Sequence, residues 1–162
     1  MRAYIITLSD KGYVNEREDI SGKVIFEMVT KNGYEVVNNI ILPDERTLIS
    51  NLLKKICDED EADLILTTGG TGLSKRDVTP EATKDIIEYE VPGIAEAMRY
   101  NSLQITKRAM LSRAIAGVRK NTLIINLPGS PKAVKENLEF VIDELSHGLE
   151  ILKGSASECA RK

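Results

Sequence analysis

Histidine and cysteine are scarce in this sequence, which contains one histidine, two cysteines and no tryptophan. With His147 as the only imidazole, the chain lacks what a metal site built on several histidines or a Ser-His-Asp triad requires. The cysteines, Cys57 and Cys159, form no C-x-x-C pair, so no metal or redox motif is visible. Both thiols are expected to be reduced, Cys57 at a half-buried helix position and Cys159 in a tail.

Long apolar runs and an excess of positive charge are also missing. No stretch approaches the roughly 18 apolar residues of a membrane-spanning helix, and the N-terminus, MRAYIITLSD, lacks the apolar core of a signal peptide. These features predict a cytoplasmic protein with no membrane partner. The net charge of −3 and the pI of about 5.4 argue against nucleic acid as a partner. A small basic pocket for one phosphorylated ligand remains compatible with this balance.

The chain does contain a regular alternation of strand-like and helix-like segments over its 162 residues. Strands are predicted where short apolar runs end in turn residues, at 3–9, 34–42, 62–68, 113–119 and 122–128. Helices are predicted from amphipathic spacing and capping residues, at 20–32, 45–56, 80–90, 94–105 and 131–152. The pattern predicts a single-domain α/β fold, a three-layer sandwich covering residues 1–153, followed by a flexible C-terminal tail at 154–162.

The sheet is expected to be mostly parallel but mixed, because the link Lys120-Asn121 is short enough for a hairpin. Capping signals set the expected helix limits. Asp44, Thr79 and Ser130 are predicted N-caps, the last two followed by proline at the first helical position. Gly33 stands where a helix-terminating glycine belongs, and residues 10–19 are predicted to be a polar turn.

Four predicted strands end in polar or glycine-rich turns. These turns are Ser9-Asp10, Pro43-Asp44, residues 67–72 and residues 126–130. In an open α/β sheet, ligands bind beyond the carboxyl ends of the strands. If the strands are parallel, the four turns share one rim of the sheet, which is the main argument from the residues for a functional site there.

The turn TTGGTG at 67–72 can present backbone N–H groups to an anion, because glycine has no Cβ to block close approach. It matches neither the G-x-G-x-x-G fingerprint nor a Walker A loop. Taken alone, it could equally be a tight strand-to-helix turn. The second glycine turn, NLPGSP at 126–131, opens another helix, and the two together favour phosphate binding.

Asp44 and Asp77 are the acidic candidates, since each follows a predicted strand end and precedes a predicted helix. Such a carboxylate pair could hold Mg²⁺ between phosphate groups. Chemistry alone leaves alternatives open: Asp44 could be a plain N-cap, and Asp77 could pair with Arg76 or Lys75. Ser112-Arg113 could supply a hydroxyl and a bidentate phosphate contact, or the arginine could form a surface salt bridge.

The stretch TTGGTGLSKRDVTPEAT at 67–83 resembles the signature of the molybdenum-cofactor biosynthesis family. That family includes the Mog-type molybdopterin adenylyltransferases, the MoaB proteins and the gephyrin G domain. Further matching segments are LSD at 8–10, LPDE at 42–45, VPGIAEAMR at 91–99, MLSRAIAGVR at 110–119 and NLPGSP at 126–131. The segment after Asp10 departs from the pattern, because the family often has an arginine where Lys11 stands.

The resemblance implies that residues 1–153 transfer AMP from ATP to molybdopterin, giving adenylyl-molybdopterin and pyrophosphate with Mg²⁺ as cofactor. Asp44 and Asp77 match the family's catalytic acids and would hold the Mg²⁺. The residues expected to contact ATP or molybdopterin are Ser9, Asp10, Thr68, Gly69, Gly70, Thr71, Gly72, Ser112, Arg113, Pro128, Gly129 and Ser130. The resemblance further implies a homotrimer, and a downstream molybdenum-insertion enzyme as a partner.

Two other functions fit the same fold family. One is a non-catalytic molybdopterin-binding or scaffold protein of the MoaB kind, and the other is a nucleotide pyrophosphatase of the same fold. Retention of both Asp44 and Asp77 favours the transferase over an inert scaffold. The short chain without an appended domain disfavours the multidomain hydrolase.

Overall fold

The computed structural model describes residues 1–154. The predicted tail at 154–162 lies outside the described residues except for Gly154, and so does Cys159. Six strands form one sheet: β1 Arg2–Leu8, β2 Glu35–Leu42, β3 Leu64–Thr68, β4 Tyr89–Glu90, β5 Ala116–Arg119 and β6 Thr122–Leu127. Six helices accompany them: α1 Asp10–Tyr13, α2 Ile20–Lys31, α3 Arg46–Asp58, α4 Thr79–Lys84, α5 Pro92–Leu103 and α6 Pro131–Leu152. A 3₁₀ helix spans Lys107–Leu111.

The sheet has the order β2-β1-β3-β6-β5-β4. The first four strands are mutually parallel, whereas β5 is antiparallel to β6 and β4 is antiparallel to β5. The expected hairpin therefore joins β5 to β6, and Lys120 at its turn has a φ of 50°. The prediction of a mostly parallel, mixed sheet in a single α/β domain is confirmed.

Helices cover both faces of the sheet, which is the three-layer arrangement that the sequence predicts. Helices α2, α5 and α6 pack on one face, and α3 and α4 pack on the other. The central strands β3 and β6 are buried along their whole length. Strands covered on both faces are continuously apolar rather than alternating, which is why the sequence reveals them so clearly. Cys57 lies in this core at 2% exposure, deeper than the half-buried position expected for it.

One predicted helix end and two predicted N-caps are wrong. The helix expected at 80–90 ends at Lys84, because Tyr89–Glu90 pairs with β5 instead. Asp44 does not cap α3: the N-cap is Glu45, without a side-chain hydrogen bond. The cap of α4 is Val78 rather than Thr79, again without a side-chain bond. Ser130 does cap α6, with its hydroxyl accepting from the N–H of Ala133.

The structure also differs from the predictions in one predicted turn and at the start of one predicted strand. The segment 10–19 contains the short helix α1, and the strand expected from 113 begins only at Ala116. Asn32 is the C-cap of α2, and the following Gly33 has the positive φ, 80°, that the helix-terminating position requires. Within residues 1–154, no helix is long and apolar enough to cross a membrane.

The carboxyl ends of the four parallel strands form one rim. The N–H of Ser9 donates to the carbonyl of Leu42 at 2.9 Å, which joins the turn after β1 to the end of β2. The Thr68 hydroxyl donates to the carbonyl of Pro128 at 2.7 Å, which joins the two glycine turns. The predicted convergence of the turns is thus confirmed, and it creates a common wall for a cavity.

Candidate active site

A cavity of about 550 Å³ opens at this rim. It lies over the ends of β1 and β3 and is bounded by the turn after α1 and by the start of α6. Eight of the sequence-predicted site residues line it: Ser9, Asp44, Thr68, Gly69, Gly70, Asp77, Gly129 and Ser130. The other six, Asp10, Thr71, Gly72, Ser112, Arg113 and Pro128, do not line it. Their assignment as ligand contacts stays a prediction.

The turn after β3 is a position where only glycine fits. Gly69 has a φ of 97°, and a Cβ there would stand 2.3 Å from the carbonyl oxygen of Leu8. Gly70 has a φ of 63°, and its Cβ would meet the Thr79 hydroxyl at 2.3 Å. The Thr79 hydroxyl donates to the Gly69 carbonyl at 2.8 Å, which fixes the turn from behind. The tight turn brings its backbone directly to the cavity wall.

Backbone N–H groups at both glycine turns are available to a ligand. Within residues 1–154, no protein group accepts a hydrogen bond from the N–H of Gly70 or Thr71. The same holds for the N–H groups of Gly129 and Ser130, which precede the 22-residue helix α6. Free N–H groups at a long helix's N-terminus, together with its dipole, favour an anion such as phosphate.

Asp44 is a half-buried acid in the wall of the cavity. Its Oδ2 accepts from the N–H of Asp10 at 3.0 Å, while its Oδ1 is buried and has no hydrogen-bond partner within residues 1–154. Burial raises the pKa of Asp44; the Asp10 N–H opposes that rise, and the charges of Asp10 and Asp77 add to it. A half-buried carboxylate with one idle oxygen is a group that a cation would stabilise.

Asp77 is fixed differently. Its Oδ2 accepts from the N–H of Ser74 at 2.9 Å, within the loop between β3 and α4. Arg76, its sequence neighbour, pairs with Asp10 at 2.8 Å and with Glu45 at 2.9 Å instead. The alternative in which Asp77 pairs with Arg76 is therefore not what the structure contains, and Asp77 is among the residues that line the cavity.

Sequence reasoning missed the segment from residue 12 to residue 21. Asp19 caps α2 through the N–H of Gly22 at 2.8 Å and accepts from the Thr7 hydroxyl at 2.7 Å. The Ser21 hydroxyl donates to the carbonyl of Gly129 at 2.9 Å, which ties α2 to the second glycine turn. Arg17 is the only basic residue among the described residues that line the cavity. Asp19 before an amphipathic helix is a recognisable N-cap signal that could have found this segment.

The donor set fits a magnesium ion only in company with phosphates. Within the part of the chain that the structure describes, no group of three or more His, Cys, Asp or Glu side chains could hold a metal alone. Mg²⁺ is usually bound by one or two carboxylates, substrate phosphates and water. The idle Oδ1 of Asp44 and the carboxylate of Asp77 match that smaller requirement.

Comparison with known proteins gives a consistent result. Residues 4–147 match the family described as the probable molybdopterin binding domain. The chain is 42% identical over 161 residues to the molybdopterin adenylyltransferase of Helicobacter pylori strain J99, covering 98% of this chain and 91% of that protein. It is 40% identical over 146 residues to the molybdopterin adenylyltransferase of Escherichia coli K12, covering 88% and 74%. The crystal structure of the molybdopterin biosynthesis enzyme MoaB from Thermus thermophilus is 48% identical, with a TM-score of 0.89 over 94% of this chain and 96% of that one.

Proposed function

The chain belongs to the family of the probable molybdopterin binding domain, and from this membership we propose that it is a molybdopterin adenylyltransferase. It is a nucleotidyltransferase of molybdenum cofactor biosynthesis, and its substrates are ATP and molybdopterin. Relatives with that name cover 88% and 98% of the chain at 40% and 42% identity. The fold, the family and the relatives' activity therefore agree.

One observation of the site carries the proposal. The Oδ1 atom of Asp44 is buried in a cavity lined by two glycine turns, and no group in the described part of the chain bonds to it. A charged oxygen that is half-buried and makes no hydrogen bond destabilises the folded protein unless a ligand or cation contacts it. The free N–H groups of the two turns supply the complementary feature, a place for phosphate oxygens. A cavity with both features suits a reaction between phosphate groups.

In this reaction an oxygen of the terminal phosphate of molybdopterin attacks the α-phosphorus of ATP. A new P–O bond forms, the bond from the α-phosphorus to the oxygen bridging to the β-phosphate breaks, and pyrophosphate leaves with that electron pair. The N–H groups of Gly70, Gly129 and Ser130, which line the cavity, hold the phosphates in line. Asp44 and Asp77 would hold Mg²⁺, which neutralises phosphate charge when bound. Positioning and charge neutralisation supply most of the catalysis in phosphoryl chemistry, so no histidine is needed.

The same proposal includes the assembly. We expect a homotrimer and a hand-over of the product to a downstream molybdenum-insertion enzyme, both on the strength of the family resemblance. Sedimentation velocity of the purified chain tests the trimer directly, because a monomer of 17.9 kDa and its trimer differ threefold in mass.

The function is tested by incubating the protein with ATP, molybdopterin and Mg²⁺ and measuring pyrophosphate. A transferase releases pyrophosphate only when molybdopterin is present. A nucleotide pyrophosphatase releases it from ATP alone, and a binding or scaffold protein releases none. Asp44→Asn and Asp77→Asn are the matched variants, and each should lower the rate by about 100-fold or more.

A further inference from the structure

Arg113 binds the segment that carries Asp77 at three points. Its Nε donates to the carbonyl of Gly72 at 2.7 Å, and its Nη2 donates to the carbonyl of Asp77 at 2.6 Å. Its Nη1 forms an ion pair with Glu81 in the first turn of α4. The backbone N–H of Arg113 also donates to the carbonyl of Thr71 at 2.9 Å. One residue therefore holds the start, the middle and the end of residues 71–81.

These contacts turn the guanidinium away from the cavity, which it does not line. All of its nitrogens are occupied by this segment. A guanidinium held in this way is directed at the loop backbone and at Glu81. These contacts support a role for Arg113 other than the phosphate contact that the sequence predicts, and that contact stays a prediction.

The segment held by Arg113 is the one on which the placement of Asp77 depends. The Asp77 backbone is fixed by Arg113, and its side chain by the N–H of Ser74 at 2.9 Å. The loop between β3 and α4 otherwise lies on the surface, and Leu73 within it is 67% exposed. An exposed loop holds a catalytic carboxylate in place only when something rigid anchors it. Arg76 holds the loop on one side, through Asp10 and Glu45. Arg113 supplies a second anchor, from the residues that lead into β5, and this one bonds directly to the Asp77 backbone.

The contacts with the carbonyls of Gly72 and Asp77, made together with the Glu81 ion pair, make the anchor specific for arginine. Glu81 has a second carboxylate oxygen, Oε2, that is buried and has no partner among the residues that the structure describes. The planar guanidinium presents five donors in a fixed fork, whereas a lysine ammonium is a single point charge on a flexible stem. A lysine at position 113 could satisfy Glu81, but it could not hold the carbonyls of Gly72 and Asp77 at the same time.

We propose that Arg113 is a positioning residue that sets the place of Asp77 through the loop at 71–78 without touching substrate. The inference rests on the proposed function for its catalytic consequence. Arg113→Lys should retain the fold and the charge while letting Asp77 move, and a misplacement of about 1 Å can lower a rate by up to about 100-fold. We expect a fall in kcat of about tenfold or more, with the KM for ATP changed less than about twofold.

A double-mutant cycle distinguishes a residue that positions Asp77 from one that contacts the substrate itself. Arg113→Lys is combined with Asp77→Asn, and kcat is measured for both single variants and the double variant. If Arg113 acts through Asp77, the double variant is no slower than Asp77→Asn alone. Arg119→Lys is the matched control, because Arg119 forms the same kind of fork with Asp58 and the carbonyl of Ile86 at the opposite end of β5. It should leave kcat unchanged.

Hydrogen exchange gives a readout that does not depend on turnover. Amide exchange in residues 71–78 should be faster in Arg113→Lys than in the wild type, and exchange in β3 and β6 should be unchanged. Additive losses in the cycle, or unchanged exchange at 71–78, would overturn the proposal. If the wild type released no pyrophosphate, the proposed function would fall, while the exchange data would still decide whether Arg113 fixes the loop.

Discussion

Asp10 and Asp44 each donate a backbone N–H to the other's carboxylate, and both hydrogen bonds are 3.0 Å long. The exchange fastens the turn after β1 to the turn after β2. It also commits Oδ2 of Asp44 and leaves Oδ1 for the cavity. The guanidinium of Arg76 donates two hydrogen bonds to the carboxylate of Asp10, at 2.8 and 3.0 Å. This contact lowers the pKa of Asp10. Asp10, which does not line the cavity, thereby orients an acid that does.

Asp44→Asn should remove activity without destabilising the fold. Because burial raises the pKa of Asp44, ionisation of this carboxyl opposes folding at neutral pH and has no effect well below pH 4. The amide keeps an oxygen for the Asp10 N–H but offers no charge to a cation. We expect turnover to fall by about 100-fold or more and the melting temperature at pH 7 to stay equal or rise. A large drop in melting temperature with turnover retained would make Asp44 a structural residue.

ATP should bind weakly without Mg²⁺. The cavity wall carries Asp44 and Asp77, with Glu18 and Asp19 nearby, and these carboxylates repel the nucleotide phosphates unless a cation lies between them. Titration calorimetry of the wild type should give at least about tenfold tighter binding with Mg²⁺ than with chelator, a difference of about 1.4 kcal/mol. The gain should shrink in Asp44→Asn. Equal affinity in both conditions would rule out a cation between these acids and the phosphates.

Gly69→Ala should destabilise the protein strongly. The residue has a φ of 97°, and the new Cβ would meet the Leu8 carbonyl at 2.3 Å, so strain of about 2–4 kcal/mol is expected. Gly148→Ala is the matched control, because Gly148 lies in α6 with nothing within 4 Å of a Cβ. The control should stabilise the helix by up to about 1 kcal/mol. Urea unfolding of both variants checks the pair, and similar stability changes in the two would contradict the geometry of the turn.

Asp63 should make the protein acid-sensitive. Burial alone would raise its pKa, but hydrogen bonds from Lys153 and Arg2 outweigh burial and hold the pKa at about 2. A depressed folded pKa contributes stability above the ordinary value of 3.8 and loses it as the pH falls towards 2. The contribution is about 2 kcal/mol at neutral pH. Asp63→Asn should therefore be less stable than the wild type at pH 7 and equally stable near pH 2, as measured by chemical denaturation across this range.

The sequence predicts the sheet well because the apolar runs that indicate its strands, and the turns that end them, are patterns of neighbouring residues. Strands β3 and β6 are buried on both faces, so each has a run of three consecutive apolar residues and leads into a glycine turn. The shared rim then follows from parallel pairing alone. The N-cap at Ser130 and the glycine after α2 are equally local signals, and both are where the pattern indicates.

The wrong predictions concern segments whose local structure is determined by contacts with residues far away in the chain. Residues 85–90 have a helical pattern, but the N–H of Glu88 donates to the Val118 carbonyl at 2.8 Å and draws the chain into the sheet. Asp44 resembles an N-cap, yet its carboxylate is held by Asp10, which lies 34 positions away in the chain. The guanidinium of Arg113 likewise bonds to residues that lie 32 to 41 positions away in the chain. Such partnerships leave no periodic trace in the sequence.

The most direct test of adenylyl transfer follows the α-phosphate itself. ATP labelled at the α-phosphorus is incubated with the wild-type protein, molybdopterin and Mg²⁺, and the products are separated and weighed by mass spectrometry. The label should appear in a molybdopterin species heavier by one AMP unit, in equal amount to the pyrophosphate released, and Asp77→Asn should form this species at least about 100-fold more slowly. Label that stays in ATP, or appears only as free AMP, would contradict the account.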